Sequence, residues 1–278
     1  MNVSGHDIGV CSWSLKQKSA MELVAVMRQL GLSHLQLSLA ELLDLDHAKR
    51  DAELACYSEA GVEITAGMIH FPGEDYTTIA SIKRSGGFVP DEHWNARRDM
   101  SFRAAEFARS IGVERVTTHV GFIPRSDDPG YGMMVNRVRE VAERYASLDL
   151  TIGMETGQET ASELLQFIND LAADNVFINF DPANMLLYGA GDPIDAIGTL
   201  GRHIGHVHIK DAVLSSQPGV MWGSEVQFGT GQVGPVRFIA SLKLCGYEGP
   251  LVIEREAGDD RVGDIAAAIR VLQQLPQR

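Results

Sequence analysis

Three cysteines are all that the 278 residues contain. Cys11, Cys56 and Cys245 are odd in number, lie far apart and form no C-x-x-C pair. They make no disulfide framework and read as free thiols in a reducing compartment. Positive charge is also scarce: 24 Lys and Arg stand against 37 Asp and Glu, for a net charge of −13. That argues against a nucleic-acid or anionic-membrane surface, both of which need clustered Lys and Arg. A small anionic substrate held by a few local cations stays open. No apolar run approaches the ~20 residues of a membrane span, and residues 1–10 carry neither a basic n-region nor an apolar h-region. Low-complexity segments and short repeats are missing too. The expectation is a soluble cytoplasmic protein, with homo-oligomerisation left open.

What is present is alternation. Strand-like runs at 8–13, 35–39, 62–69, 115–120, 150–155, 176–181, 205–211 and 251–254 are separated by segments of helical periodicity. Those helices are expected at 21–30, 45–60, 101–111, 133–146, 161–173, 194–200, 236–244 and 261–275. Strands alternating with helices imply βαβ units and a parallel sheet. Eight such units in about 250 residues fit one closed barrel, so the α/β fold class expected is a single (β/α)8 TIM barrel over 1–278. Residues 71–98 break the pattern. Phe71, Tyr76, Phe88 and Trp94 sit there among Gly and Pro, and the stretch reads as an irregular, ordered, lid-like excursion.

The strand Gly205-His206-Val207-His208-Ile209-Lys210-Asp211 places His206, His208 and Lys210 on one face. Groups like these are costly to bury unpaired. Other strands repeat the pattern at the same end, with His119, Glu155, Asp181 and Glu254 at or near their C-termini. In a barrel that end is where active sites are built. Glu155, Asp181, His208 and Glu254 are three carboxylates and one imidazole, a set suited to one divalent ion such as Mn²⁺, Mg²⁺, Co²⁺ or Zn²⁺. Without a cation, converging carboxylates repel and some take up protons.

At these residues the chain resembles the xylose isomerase-like barrels, the sugar phosphate isomerases and epimerases that include ketose 3-epimerases and inosose dehydratases. The motifs are Met154-Glu155-Thr156, Phe180-Asp181-Pro182-Ala183-Asn184, His206-Val207-His208-Ile209-Lys210-Asp211 and Val252-Ile253-Glu254-Arg255-Glu256. The resemblance implies that Glu155, Asp181, His208 and Glu254 bind one metal. It also implies that Glu155 and Glu254 flank the substrate as an acid/base pair, one removing a proton next to a carbonyl and the other returning one. The chain departs from the ketose epimerases in carrying Asn184 where they have His and Leu214 where they have a substrate-binding Arg. It looks more like the inosose dehydratase branch.

His119, His70 and Asn184 are further candidates for contact with substrate hydroxyls, and Trp13 for an apolar wall. His206, one pleat deeper, reads as support for a ligand. Lys210 either holds a substrate hydroxyl or phosphate, or protonates a leaving group, or pairs with Asp211 or a site carboxylate. Glu256 is an alternative to Glu254 as ligand. Gly229-x-Gly231-x-x-Gly234 follows no strand of a nucleotide-binding unit and reads as an ordinary barrel loop. The functional expectation is a metal-dependent isomerase or epimerase of a carbohydrate. A metal-dependent lyase of a keto-inositol or keto-sugar is the runner-up. A phosphodiester nuclease is remote, because the Asp-x-His pair its three-zinc cluster needs is not present at 223–227.

Overall fold

The computed structural model describes residues 1–276. Eight parallel strands close into a barrel: β1 (His6–Cys11), β2 (His34–Ser38), β3 (Glu63–Ile69), β4 (Arg115–Thr118), β5 (Thr151–Glu155), β6 (Val176–Phe180), β7 (Ile204–Ile209) and β8 (Leu251–Ile253). Closure comes from β1, which pairs with both β2 and β8. The chain is therefore the (β/α)8 TIM barrel that the alternation predicts. The helices pack their apolar faces on the outside of the strands, in one continuous core that runs from Val3 to Leu275. No helix among the described residues is long and apolar enough to cross a membrane.

Several elements differ from their sequence expectation. The helix expected at 101–111 begins ten residues earlier and spans Asp91–Ser110. Its first turns are polar, so apolar periodicity does not reveal them. The readable start signal is Pro90 followed by Asp91 and Glu92, acids that suit a helix N-terminus. A short helix, Pro182–Tyr188, follows β6, where Asp181 accepts the Asn184 N–H as N-cap and Pro182 takes the first position.

The irregular excursion is correspondingly shorter, and one helix, Ile79–Ser85, lies inside it. Two buried arginines pin it down. Arg97 donates to the carbonyls of Ser85, Gly87 and Pro72 at 2.5–3.1 Å. Arg137 donates to those of Phe88 and Val89 at 2.8 and 2.9 Å, and pairs with Asp91. Gly87 lies so close to the end of β4 that a Cβ there would sit 2.0 Å from the Val120 carbonyl carbon. Phe88 N–H bonds the same residue's oxygen at 2.8 Å. This stretch forms a fixed wall on the C-terminal side of the barrel.

Candidate metal centre

The four residues of the expected metal set and Lys210 stand at or near the C-terminal ends of their strands. Glu155 ends β5, Asp181 and Lys210 follow β6 and β7 directly, Glu254 follows β8, and His208 is the penultimate residue of β7. One side-chain atom from each of Glu155, Asp181, His208 and Glu254 lies within 4.8 Å of the others. Asp181 and His208 are fully buried, and the two glutamates are 5% exposed.

The imidazole is the hub. His208 Nδ1 lies 3.5 Å from Glu155 Oε1, 3.4 Å from Asp181 Oδ2 and 3.3 Å from Glu254 Oε2. Its Nε2–H donates to Gln36 Oε1 at 2.6 Å, and Gln36 in turn donates to the Thr117 hydroxyl at 2.8 Å. This fixes the tautomer in which Nδ1, the atom among the carboxylates, offers its lone pair to a cation. A donor set of one imidazole nitrogen and three carboxylate oxygens, with the tautomer already held, fits a divalent ion such as Mg²⁺ or Mn²⁺.

The protein's own cations act on the same carboxylates. Lys210, 2% exposed, donates to Glu254 Oε2 at 2.7 Å and to Glu256 Oε2 at 2.5 Å, and lies 3.7 Å from Asp181. Of its alternatives, the structure thus selects pairing with site carboxylates over pairing with Asp211. Glu256 is held by this lysine and lies outside the group of four. Burial alone would raise the Glu254 carboxyl, but Lys210 and His208 hold it well below the usual carboxylate range. Burial also raises Asp181, which Lys210 and His208 only partly offset. For His208, burial opposes protonation, yet Glu254, Cys11, Glu155 and Asp181 raise its pKa well above the ordinary value.

Each glutamate is held in place by further donors. Glu254 Oε1 accepts from Trp13 Nε1 at 2.7 Å. Glu155 accepts from Asn184 Nδ2 at 2.9 Å and Asn179 Nδ2 at 3.2 Å, and His119 Nε2 lies 3.6 Å away. Asn179 Oδ1 receives a 2.7 Å hydrogen bond from His206 Nδ1. His206 hydrogen-bonds none of the four; it packs edge-on against the His208 ring and orients the amide that holds Glu155. Burial, with His208 and Arg115 nearby, lowers its pKa well below normal, so it is neutral.

Gln36 carries the hub's tautomer, and sequence reasoning missed it. Its signal was a lone amide between Leu35 and Leu37 in a strand. The structure also shows what Asp211 does. Its carboxylate accepts the backbone N–H groups of Gly229, Gly231 and Val233 at 2.9–3.0 Å, and also that of Ala212. The glycine loop is wrapped around this side chain, and a Cβ on Gly231 would meet its Oδ1 at 2.3 Å. Asp211→Ala is expected to cost roughly 2–4 kcal/mol in urea unfolding, because several buried N–H groups lose their acceptor together. A cost below about 0.5 kcal/mol would mean that solvent replaces the carboxylate.

Above the cluster opens a cleft of about 480 Å³. Trp13, His70, His119 and Asn184 line it, together with Phe71 and Tyr76 from the pinned excursion. Tyr188 and Trp222, packed edge to face at 4.7 Å, form its far wall. Leu214 is exposed and outside the lining.

Comparison with known proteins agrees with this architecture. A xylose isomerase domain protein from Planctomyces limnophilus is 35% identical, with 90% of each chain covered and a TM-score of 0.85. A xylose isomerase-like TIM barrel protein from Mycobacterium smegmatis, solved in complex with magnesium, shares the fold at 18% identity, covering 99% and 98% of the chains with a TM-score of 0.74. Other barrels of this fold, at 15–20% identity, include D-psicose, L-ribulose and 3-keto-D-glucoside epimerases and a probable 3-DHS dehydratase. The Escherichia coli protein YihM, uncharacterized in function, is 29% identical over 150 residues, which is 52% of this chain and 45% of that protein. The chain thus spans about half the length of the curated relative it matches. The family model described as xylose isomerase-like TIM barrel matches residues 24–275, and the chain belongs to that family.

Proposed function

We propose that the protein is a divalent-metal-dependent isomerase or epimerase of a sugar, keto-sugar or sugar phosphate. One observation carries the reading. Glu155 and Glu254 stand at the two ends of a run of four adjacent strands, β5 to β8, with Asp181 and His208 between them. A substrate carbon seated over the cluster has a carboxylate on each side.

A proton next to a ketone is too weakly acidic for an unaided carboxylate to remove quickly. The bound ion supplies Lewis-acid stabilisation of the negative charge that builds on the carbonyl oxygen. Glu155 or Glu254, held ionised by its neighbours, removes the proton, and the opposite glutamate returns one. Return to the same carbon from the other face epimerises it. Return to the adjacent carbon isomerises the sugar. Asn179 and Asn184 keep Glu155 in position, and Trp13 does so for Glu254. His119, His70, Asn184 and Trp13 are placed to contact the substrate. The three free cysteines suit a reducing, cytoplasmic setting.

The Lys210 ammonium, bonded to the cleft-lining Glu254 and Glu256, favours a second reading. The same proton abstraction followed by loss of a β-hydroxyl, which Lys210 protonates as it leaves, makes the enzyme a lyase. The test is proton exchange. Protein loaded with Mn²⁺ or Mg²⁺ is incubated in D₂O with ketoses, keto-glycosides, keto-inositols and the phosphates of these sugars, and deuterium incorporation is followed by mass spectrometry. Incorporation without loss of water identifies the isomerase or epimerase, and incorporation with dehydration identifies the lyase. No incorporation across the panel, with metal confirmed in the protein, sinks both.

A further inference from the structure

Four buried side-chain polar atoms among the described residues have no partner, and three belong to residues lining this one cleft: Ser38 Oγ, His119 Nδ1 and Trp222 Nε1. An unpartnered buried donor or acceptor is costly unless a ligand supplies its partner. Three around a single cavity point to a ligand rich in hydroxyl groups. The rings of Trp222 and Tyr188, packed edge to face, line the same cleft. Their size also matters: a cleft of about 480 Å³ falls among pockets of about 300–1,000 Å³ that hold drug-sized ligands. That is more room than one pyranose ring fills.

The charges oppose a phosphate. Glu74 and Glu256 line the cleft alongside Glu254, and Glu155 and Asp181 lie at its floor. The basic residues among its lining are His70 and His119, and the Lys210 ammonium is already bound to Glu254 and Glu256. Even a divalent ion and Lys210 together leave the five carboxylates in excess. The glycine loop after β7, where barrels frequently bind phosphate, has turned its N–H groups onto Asp211. A phosphate dianion would give up its hydration here without gaining a free cation or an N–H nest.

We infer that the substrate is an uncharged keto-sugar carrying a second ring, a glycoside or disaccharide whose outer ring lies against Trp222 and Tyr188, and that it is not phosphorylated. This rests on the reading of the cleft as a carbohydrate site and narrows it.

The probes are methyl and phenyl glycosides of glucose, galactose and mannose in both anomers, with the corresponding hexose 6-phosphates. Each is titrated calorimetrically into Mg²⁺-saturated protein. At least one phenyl glycoside is expected to bind roughly tenfold tighter than its methyl counterpart, and every hexose phosphate more weakly than the methyl glycoside. Trp222→Ala should collapse the phenyl-to-methyl ratio, whereas Trp222→Phe, which keeps a ring, should retain most of it. Binding of a hexose phosphate as tightly as the neutral sugars overturns the inference. So does a phenyl-to-methyl ratio near one, or no binding of any neutral probe at 10 mM, roughly a −3 kcal/mol floor. These readouts do not depend on turnover. Proton exchange on a phosphorylated ketose would defeat this inference and leave the isomerase reading standing; glycoside preference without exchange would do the reverse.

Discussion

Glu254→Gln is expected to slow substrate proton exchange by roughly 10²–10⁴-fold, the range a positioned general base contributes. Glutamine keeps the shape and still presents an oxygen to the Trp13 indole, which donates at 2.7 Å in the parent. It cannot take a proton, and its amide replaces the carboxylate oxygen that the Lys210 ammonium contacts at 2.7 Å. Glu155→Gln should give a loss of the same order, because its carboxylate faces the cluster from the other side. The comparison is made at matched metal content, measured in each variant, so that a lost ligand is not mistaken for a lost base. If either variant exchanges within about tenfold of the parent, that glutamate is not the acid or base.

Metal ions should stabilise the fold strongly. At about 100 times its Kd, a ligand that binds only the folded chain contributes about 2.7 kcal/mol. For a chain of this size, that corresponds to a rise in Tm of roughly 5–10 °C, reversed by a chelator. Asp181→Asn should remove most of the rise. The effect also has a pH sign. The His208 pKa is raised in the metal-free protein by Glu254 and the other acids around it, against burial. Its imidazolium contribution is complete below ~6.5 and fades as pH rises through the raised value. An ion must displace that proton, so metal affinity increases with pH. Calorimetric titrations at pH 6 and pH 8 read this directly. A Tm that moves by less than about 1 °C with every candidate ion at millimolar concentration would mean that Lys210 and His208 already satisfy the carboxylates.

The site was legible where chemistry sits at a strand end. Glu155, Asp181, His208 and Glu254 each close an apolar strand with an ionisable group, and alternation alone separates that group from the core. Gln36 and Asn179 were harder, because their roles depend on register. The β2–β3 pairing slips between Leu35 and Gln36, and the β6–β7 pairing slips between Ile178 and Asn179. The second slip sets Asn179 opposite His206. Neither irregularity has a signature in a single strand's composition, since register belongs to the pair. The fold's helices were visible where an apolar stripe marks them and hidden where charge dominates, as in the first turns of Asp91–Ser110. Lys210 stood out in its strand, but its carboxylate partners come from loops after β6 and β8 that only the closed barrel brings together.

The excursion fastened by Arg97 and Arg137 has a thermodynamic consequence for whatever enters the cleft. Ordering backbone costs about 1–2 kcal/mol per residue, and here that ordering is completed during folding, by guanidinium groups gripping carbonyls. Phe71 and Tyr76 therefore meet a ligand from a wall that is already rigid. The contact energy they supply appears as affinity instead of being consumed in immobilising a loop. Association should accordingly run at the ordinary orientation-limited rate, about 10⁵–10⁷ M⁻¹s⁻¹, with a single kinetic phase and no closure step behind it.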